Sequence, residues 1–160
     1  MRTLQPYEFV YQEDQYFFET NNGIKYRIEI KDGSSYFIDF KPYLSVFELS
    51  IDLDNDVVDS SAPYDSRTES TIIHILLDFF TNHSNCLIYV CDSADGRHYG
   101  RNRKFNTWFN KFNDGTLEKH DINFEVEDSE MLFSLILHQN NPFREEIIKL
   151  FYEQPKLYGK

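Results

Sequence analysis

A short segment after residue 91 gathers cationic side chains in a chain that is acidic overall. The 160 residues include 16 Lys and Arg against 27 Asp and Glu, a formal net charge of −11. The segment "CDSADGRHYGRNRKFNTWF" contains Arg97, Arg101, Arg103 and Lys104. It follows an apolar run typical of a strand and leads into a helix, whose first backbone amides are free to bind an anion. These residue types at this position predict a site for a phosphate or a carboxylate.

Eight side chains make up the candidate ligand-binding set. Besides the cations, the segment supplies carboxylates, a hydroxyl and an imidazole, which could orient an anion or exchange a proton with it. In an enzyme or sensor, the arginines would hold the anion and Asp92 or His98 would transfer the proton. No catalytic residue is assigned. The set is Asp92, Ser93, Asp95, Arg97, His98, Arg101, Arg103 and Lys104.

An internal ion-pair network explains the same cations without a ligand. Cations in the first turn of a helix oppose its dipole, at about 0.3–1 kcal/mol each when exposed, so negative charge should lie close by. Asp92, Asp95 and the loop residues Asp52, Asp54 and Asp56 could supply it. With 27 acidic side chains in the chain, this pairing needs no special assumption, and both interpretations stay open.

Other chemistries find less support. The five histidines show no His-x-x-x-His spacing and the cysteines no paired spacing, so we expect neither a structural metal nor a cofactor. The segment lacks the glycine spacing and the Lys-Ser/Thr pair of a nucleotide-binding loop. A chain with a pI near 4.8 would bind nucleic acid only if its positive charges were concentrated on one surface. We therefore do not expect a nucleic-acid partner.

Strands dominate the first fifty residues. The runs "YEFVY", "YFFET", "IKYRIEI", "SYFIDF" and "VFELSIDL" are aromatic or alternate between polar and apolar residues, with turn-forming residues between them. In the third run, Ile24, Tyr26, Ile28 and Ile30 share one face. The turn at residues 31–34 predicts a tight hairpin into the fourth run. We therefore expect an antiparallel β-meander with one solvent-facing side.

Helices alternate with strands in the rest of the chain. Ser66 and Glu69 match a capping box ahead of an apolar stripe at helical spacing. The run "CLIYVCD" is typical of an interior strand, and a helix over about residues 102–112 follows it. "DINFEV" predicts a strand, whereas residues 131–138 fit a strand or a helix. Asn141-Pro142 begins a last helix that Pro155 should end.

The order of these elements predicts an α+β fold. It consists of an N-terminal antiparallel β-meander, a helix, an interior strand, a helix, a β-hairpin and a C-terminal helix, packed on one sheet. We expect a single domain over residues 1–154 and a flexible tail over residues 155–160. A chain of this length can bury a core without disulfides or metal.

Cysteine usage and hydropathy indicate the compartment. Cys86 and Cys91 are the only cysteines, and a spacing of five on one strand puts them on opposite faces, where they cannot pair. Two unpaired thiols favour a reducing compartment. The N-terminus lacks the apolar run of a signal peptide, and no run of 18 apolar residues occurs. We expect a cytoplasmic protein without a membrane partner.

Three stretches of the sequence resemble an uncharacterised family of small bacterial proteins, a domain of unknown function. They are "VCDSADGRHYGRNRKFNTWF", the opening "YEFVYQEDQYFFET" and "NPF" at the last helix. The resemblance spans most of the chain, and the Cys-Asp-Ser-x-Asp-Gly-Arg run is its most specific part. It implies no activity, cofactor or substrate, and adds only a bacterial cytoplasmic setting.

We expect a binding function rather than catalysis, with residues 92–104 as the most likely contact site. By analogy, a small acidic protein could also bind a basic protein partner through its acidic surface. The alternative is an enzyme or sensor for a phosphate-bearing small molecule at the same junction. Arginines that converge on open space would favour the small ligand, and arginines bonded to carboxylates would favour an internal network.

Overall fold

A computed structural model describes residues 5–37, 41–53, 65–92, 98–126 and 128–158. Over these residues it contains seven strands and three α-helices, which confirms the predicted α+β fold. In chain order the elements are β1 (Val10–Gln12), β2 (Gln15–Glu19), β3 (Lys25–Asp32), β4 (Ser45–Leu53), α1 (Ser66–Phe79), β5 (Asn85–Asp92), α2 (His98–Phe112), β6 (Leu117–Val126), β7 (Ser129–His138) and α3 (Arg144–Tyr158).

All seven strands form one sheet in the order β1-β2-β3-β4-β5-β7-β6. Neighbouring strands are antiparallel except β4 and β5, which run parallel, so α1 carries the chain back across the sheet between them. The strands β1 to β4 pair in chain order, as expected of a meander. α2 connects β5 to β6, but β6 does not pair with β5. β7 lies between these two strands, so β6 is the outer strand at this edge. The two outer strands are therefore β1 and β6.

Alternation along β3 gives the N-terminal strands one apolar and one polar side. Ile28 is fully buried in the cluster to which α1 contributes. On the opposite side, Arg27 lies 3.6 Å from Asp52 of β4, and Lys31 lies 3.9 Å from Glu48. The predicted solvent-facing side is thus confirmed. Cations and carboxylates alternate over it, so this side carries little net charge.

The predicted strand "SYFIDF" is wrong over its first residues. Residues 34–36 form a 3-10 turn, and β3 pairs directly with β4. The reason is a close approach of the backbone at Gly33. Its N–H donates to the Val46 carbonyl at 2.9 Å, and a Cβ at this position would lie 2.8 Å from the Phe47 backbone. The chain therefore passes over β4 instead of pairing beside it. The end of the predicted strand, residues 38–40, lies outside the described residues.

The cap of α1 also differs from the prediction. Asp65, in extended conformation with φ −143°, caps the helix and accepts the Arg67 N–H at 2.9 Å. Ser66 is the first helical residue. The Glu69 carboxylate bonds the Lys111 ammonium of α2, and the Glu69 side chain is only 2% exposed. The predicted capping box is wrong because an interhelical ion pair engages the glutamate that the box requires.

Two helices cover one side of the sheet, and one helix covers part of the other. α1 and α2 contribute their predicted apolar stripes to a core over β3, β4, β5 and β7. α3 and the turn at residues 34–36 build a second core on the opposite side. β5 is therefore buried on both sides, as predicted: Cys86, Leu87 and Ile88 are all 0% exposed.

The C-terminal hairpin resolves the open choice at residues 131–138. These residues belong to β7, which is antiparallel to β6 along its whole length, so the strand interpretation is correct. α3 begins at Arg144, just after the Asn141 side chain accepts the Phe143 N–H at 2.8 Å. Its backbone continues past Pro155, where the sequence predicted its end. Among the described helices, none is long and apolar enough to cross a membrane.

Candidate functional site

The structure describes part of the predicted ligand-binding set. Ser93, Asp95 and Arg97 lie outside the described residues. For Asp92, His98 and Arg101 only the backbone is described. The first of these ends β5, and the other two lie at the start of α2. The helix begins at His98, about four residues before its predicted start near residue 102.

Arg103 and Lys104 complete the set, and both are exposed. The Lys104 ammonium lies 5.4 Å from the centre of the Trp108 ring, within range of a cation–π attraction. The Arg103 guanidinium forms no ion pair with any residue that the structure describes. Within the described part of the chain, the internal network therefore does not account for Arg103.

The β6–β7 hairpin brings acidic residues to the same end of the sheet as the start of α2. Asp92, the last residue of β5, pairs with Met131 of β7, and the hairpin extends beyond this pair. Its outer part carries Glu125, Asp128 and Glu130. Sequence reasoning looked for negative charge at Asp92, at Asp95 and in the loop after β4. It missed this hairpin, because strand pairing and not proximity in the chain places it here.

A cleft of about 300 Å³ lies between α2 and the strands β6 and β7. The Asn102 side-chain oxygen is buried there, and it has no hydrogen-bond partner among the described residues. Asp121 and Asn123 add polar groups, whereas Leu132 and Phe133 form an apolar wall. An unsatisfied carbonyl oxygen and a carboxylate favour a ligand with N–H or O–H donors. This polar lining therefore suits a donor better than a phosphate.

A polar cluster beside this cleft ties α2 to the sheet. The Lys119 side chain of β6 is only 6% exposed, and its ammonium bonds Asp121 Oδ1. The Ser134 hydroxyl donates to the same oxygen at 2.6 Å. The ammonium also lies 6.0 Å from the centre of the Phe105 ring. Each of these polar groups already has a partner, so the cluster is explained by packing.

A chain of hydrogen bonds joins β6 to α3 on the other side of the sheet. The Tyr152 hydroxyl and His120 Nδ1 are 2.9 Å apart, and His120 Nε2 lies 3.2 Å from the Glu118 carboxylate. Arg144 Nη2 donates to Glu118 at 2.9 Å. The bond from Arg144, the largest cause, holds the pKa of Glu118 below its usual value. These contacts dock α3 on the sheet.

A second concave surface lies near the opposite edge of the sheet, and sequence reasoning did not identify it. This surface, which we call the acidic groove, has a volume of about 420 Å³ and apolar lining from Ile30 and Phe47. Its polar lining comes from the β1–β2 turn and from the end of β3. These polar residues are Glu13, Asp14, Glu29, Lys31 and Asp32.

The acidic groove keeps an excess of negative charge after its internal contacts. Glu29 lies 3.7 Å from the Lys31 ammonium, which is the cation of the groove lining. The Asp14 carboxylate accepts a hydrogen bond from the neutral Tyr11 hydroxyl at 3.0 Å, so its charge is retained. Glu13 is exposed and bonds no other residue that the structure describes. The groove can therefore accept further positive charge.

Contacts with α1 fix the chain that leads into β1. The Tyr7 N–H donates to the Thr71 hydroxyl at 2.8 Å, and its phenol bonds the Asp65 carboxylate. The Arg67 guanidinium lies 4.0 Å from the centre of the Tyr7 ring. Burial is the largest cause of a raised pKa at this phenol. β1 is thus held at its start although it is only three residues long.

A model of a family of unknown function, DUF6169, matches residues 64–153, more than half of the chain. The chain belongs to this family. The DUF6169 match begins just before α1 and ends within α3, so it includes the predicted ligand-binding set and leaves β1 to β4 outside. No curated protein matches the chain. Membership of DUF6169 agrees with the resemblance noted in the sequence and assigns no activity.

Proposed function

We propose that this protein is a binding protein that recognises a basic partner, a protein segment rich in Lys and Arg, through the acidic groove. The groove combines four carboxylates with apolar lining. The aliphatic stems of Lys and Arg can lie on Ile30 and Phe47 while the charged ends reach the carboxylates. The net charge of −11 would in addition speed the encounter with a cationic partner.

The observation that carries the proposal is the pair of acidic residues in the β1–β2 turn. Glu13 and Asp14 both have positive φ, 51° and 64°. This conformation suits a tight hairpin but favours Asn-Gly, and a residue with a larger side chain adopts it at a cost of about 1–2 kcal/mol. The chain thus places two carboxylates on the groove at positions where other residues would stabilise the hairpin more.

The test replaces the turn acids by the residues that the turn favours, Glu13→Asn with Asp14→Gly. The probe is a fluorescein-labelled peptide, Lys-Arg-Val-Thr-Val-Arg-Lys, titrated by fluorescence anisotropy at low salt. We expect the double variant to bind roughly tenfold more weakly, because two ion pairs worth up to about 1 kcal/mol each are lost. Binding to the unmodified protein should weaken as salt is added.

A matched control separates the groove from net charge. Glu125→Gln with Glu145→Gln removes the same charge from two exposed positions outside the groove, and this variant should bind like the unmodified protein. An equal loss in both double variants would show that the peptide responds to net charge alone. Failure of the unmodified protein to bind the peptide would reject the groove as a site for basic segments.

Arg103 favours a second candidate function, that of an enzyme or sensor for a phosphate-bearing small molecule at residues 92–104. Its guanidinium is exposed and forms no ion pair with the described residues. A thermal-shift measurement with inorganic phosphate and nucleotides tests this function. A rise in unfolding temperature that Arg103→Gln abolishes would support it, and the absence of any rise would reject it.

We further propose that the protein works in the bacterial cytoplasm. The resemblance to small bacterial proteins supports the source, and Cys86 supports a reducing compartment. Cys86 is a free thiol that is 0% exposed, and burial raises its pKa to about 12. When the protein is unfolded without reduction and then alkylated, mass spectrometry should find label on both Cys86 and Cys91. A disulfide at either cysteine would contradict the proposal.

A further inference from the structure

The two outer strands of the sheet differ in how readily their free edges could pair with another strand. β6 carries consecutive ionisable side chains at residues 118–121, and such side chains discourage pairing with another strand. β1 instead exposes two large apolar side chains, Val10 at 61% and Tyr11 at 58%. An exposed apolar strand at a free edge is a template on which another strand can pair.

The register of β1 shows which backbone groups are available. Gln12 pairs with Gln15 across a two-residue turn, and such a closing pair exchanges both of its backbone bonds. The next pair, Tyr11 with Tyr16, is therefore non-bonded, which brings the side chains together, and the two ring centres are 4.7 Å apart. The Tyr11 N–H and C=O consequently point away from β2. They bond no other residue that the structure describes.

We propose that the basic partner binds by adding a strand to the free edge of β1, hydrogen-bonded to the backbone of Tyr11. This inference rests on the proposed function and specifies how the partner binds. Glu13 and Asp14 end the β1 hairpin and also line the acidic groove. A strand bonded to Tyr11 advances about 3.3 Å per residue, so its residues two or three positions further on lie beside these carboxylates.

Charge favours a basic strand over a second copy of this chain. Acidic residues flank the exposed pair: Glu8 precedes it, and Glu13 and Asp14 follow it. If two copies paired antiparallel about Tyr11, Glu8 of one copy would lie opposite Asp14 of the other. Parallel pairing would align each acid with itself, and like charges directly opposite destabilise a strand pair. A strand with an apolar centre and Lys or Arg at both ends places opposite charges there instead.

Backbone methylation of the probe tests strand addition without altering the protein. We prepare the peptide Lys-Arg-Val-Thr-Val-Arg-Lys with a single N-methyl group at each of its three central residues in turn. Only alternate N–H groups of an added strand face β1. Methylation at those positions should weaken binding roughly tenfold, and methylation at the positions between them by less than about twofold. Recognition by side chains alone would not show a period of two.

Replacing Tyr11 by proline tests the same backbone hydrogen bond by a change in the protein instead of in the peptide. Because the Tyr11 N–H points away from β2, Tyr11→Pro removes this donor without breaking a backbone hydrogen bond of the hairpin. It also removes the ring and the hydroxyl that bonds Asp14. We expect the variant to lose roughly tenfold in affinity for the peptide, with an unfolding temperature within a few degrees of the unmodified protein. The control Tyr11→Val removes the ring and keeps the N–H, and it should bind within about threefold.

The possible results separate strand addition from the proposed function. If every methylated peptide binds like the parent while Glu13→Asn with Asp14→Gly still weakens binding, strand addition is wrong and the groove remains a site for basic segments. If the parent peptide does not bind, both proposals fail. If sedimentation velocity finds a dimer that Tyr11→Pro disrupts, a second copy occupies the edge and the proposal is wrong.

Discussion

The N-terminal strands and the region from α1 to α3 differ in how their part of the sheet is covered. β5 and β7 are packed on both sides, by α1 and α2 on one and by α3 on the other. Among the residues that the structure describes, β2 and β3 are packed on one side only, and their other side carries cations and carboxylates. The DUF6169 match begins at residue 64 and so covers the doubly packed region. In the proposed function, this difference becomes a division of roles: the C-terminal region supplies stability, and the N-terminal strands supply the surface for a partner.

The two regions also differ in which of their groups have shifted pKa values. In the C-terminal region, Asp114, Glu118 and His138 have lowered pKa values. In the described N-terminal residues, the shifted groups are tyrosine phenols with raised pKa values. A lowered pKa adds stability that is lost as pH falls, and a raised phenol pKa adds stability that is lost as pH rises. Acid should therefore weaken the C-terminal region first. Alkali should act on the N-terminal phenols and also on Cys86 of β5, whose pKa burial raises to about 12.

The largest change in stability is expected from the ion pair between α1 and α2. Lys111→Met removes the ammonium from beside the Glu69 carboxylate, whose side chain is 2% exposed. The free energy of unfolding should fall by about 3–5 kcal/mol, because a buried charge loses its counter-ion. Urea unfolding measures the change. Adding Glu69→Leu should restore most of the loss. A loss below about 1 kcal/mol, as at an exposed pair, would mean that this contact does not secure the C-terminal region.

A smaller effect of opposite sign is expected at the β1–β2 turn. Glu13→Asn with Asp14→Gly supplies the residues that a turn with two positive φ angles favours, and it should raise the free energy of unfolding by about 1 kcal/mol. The control Glu125→Gln with Glu145→Gln should stay within about 0.5 kcal/mol of the unmodified protein. A destabilised turn variant would show that the two acids support the hairpin, and the division of roles would then be lost.

His138 provides a test of the acid response. It is 7% exposed and stacks on His83 with ring centres 3.7 Å apart. Burial, the largest cause, lowers its pKa from the ordinary 6.5. The unfolded chain then binds a proton more readily than the folded one, so stability falls as pH drops below 6.5 and levels off below the folded pKa. His138→Gln should flatten this decline in urea unfolding between about pH 5 and about pH 7.5. If the variant and the unmodified protein lose the same stability over this pH range, groups other than His138 cause the acid response.

The smallest effect is expected at Arg103. Its side chain is exposed and forms no ion pair with the described residues. Arg103→Gln should therefore change the free energy of unfolding by less than about 0.5 kcal/mol. Thermal and urea unfolding both measure this change. A clearly larger loss would show that the guanidinium is held inside the protein, and the internal network would become the better explanation of the basic segment.

Local patterns predict most of the elements. The apolar stripe of α1, the continuous apolar run of β5 and the alternation of β3 each depend on a residue and its near neighbours, so the sequence displays them directly. The strand predicted from "SYFIDF" shows the limit of this approach. Its aromatic residues suit a strand and an overlying turn equally well, and the contact of Gly33 with the Phe47 backbone decides between them.

Long-range arrangement is beyond such patterns. Nothing in β4 or β5 alone indicates that the two pair in parallel, because strand order depends on how helices pack across the sheet. The acidic groove shows the same limit at the level of a site. Glu13 and Asp14 meet Glu29 and Asp32 through the register of β1, β2 and β3. The cations of residues 97–104, by contrast, are close in sequence and therefore attract attention first.

The parallel pairing of β4 with β5 also governs the order in which the chain can fold during synthesis. The strands β1 to β4 are joined by short-range contacts and can pair soon after they leave the ribosome. The apolar side of these strands is covered only after α1 has been synthesised. The Tyr7 N–H, for example, bonds the hydroxyl of Thr71, which lies 64 positions later in the chain. Until α1 covers them, the apolar side chains of the nascent strands are exposed. This is the stage at which a chaperone would prevent misassembly.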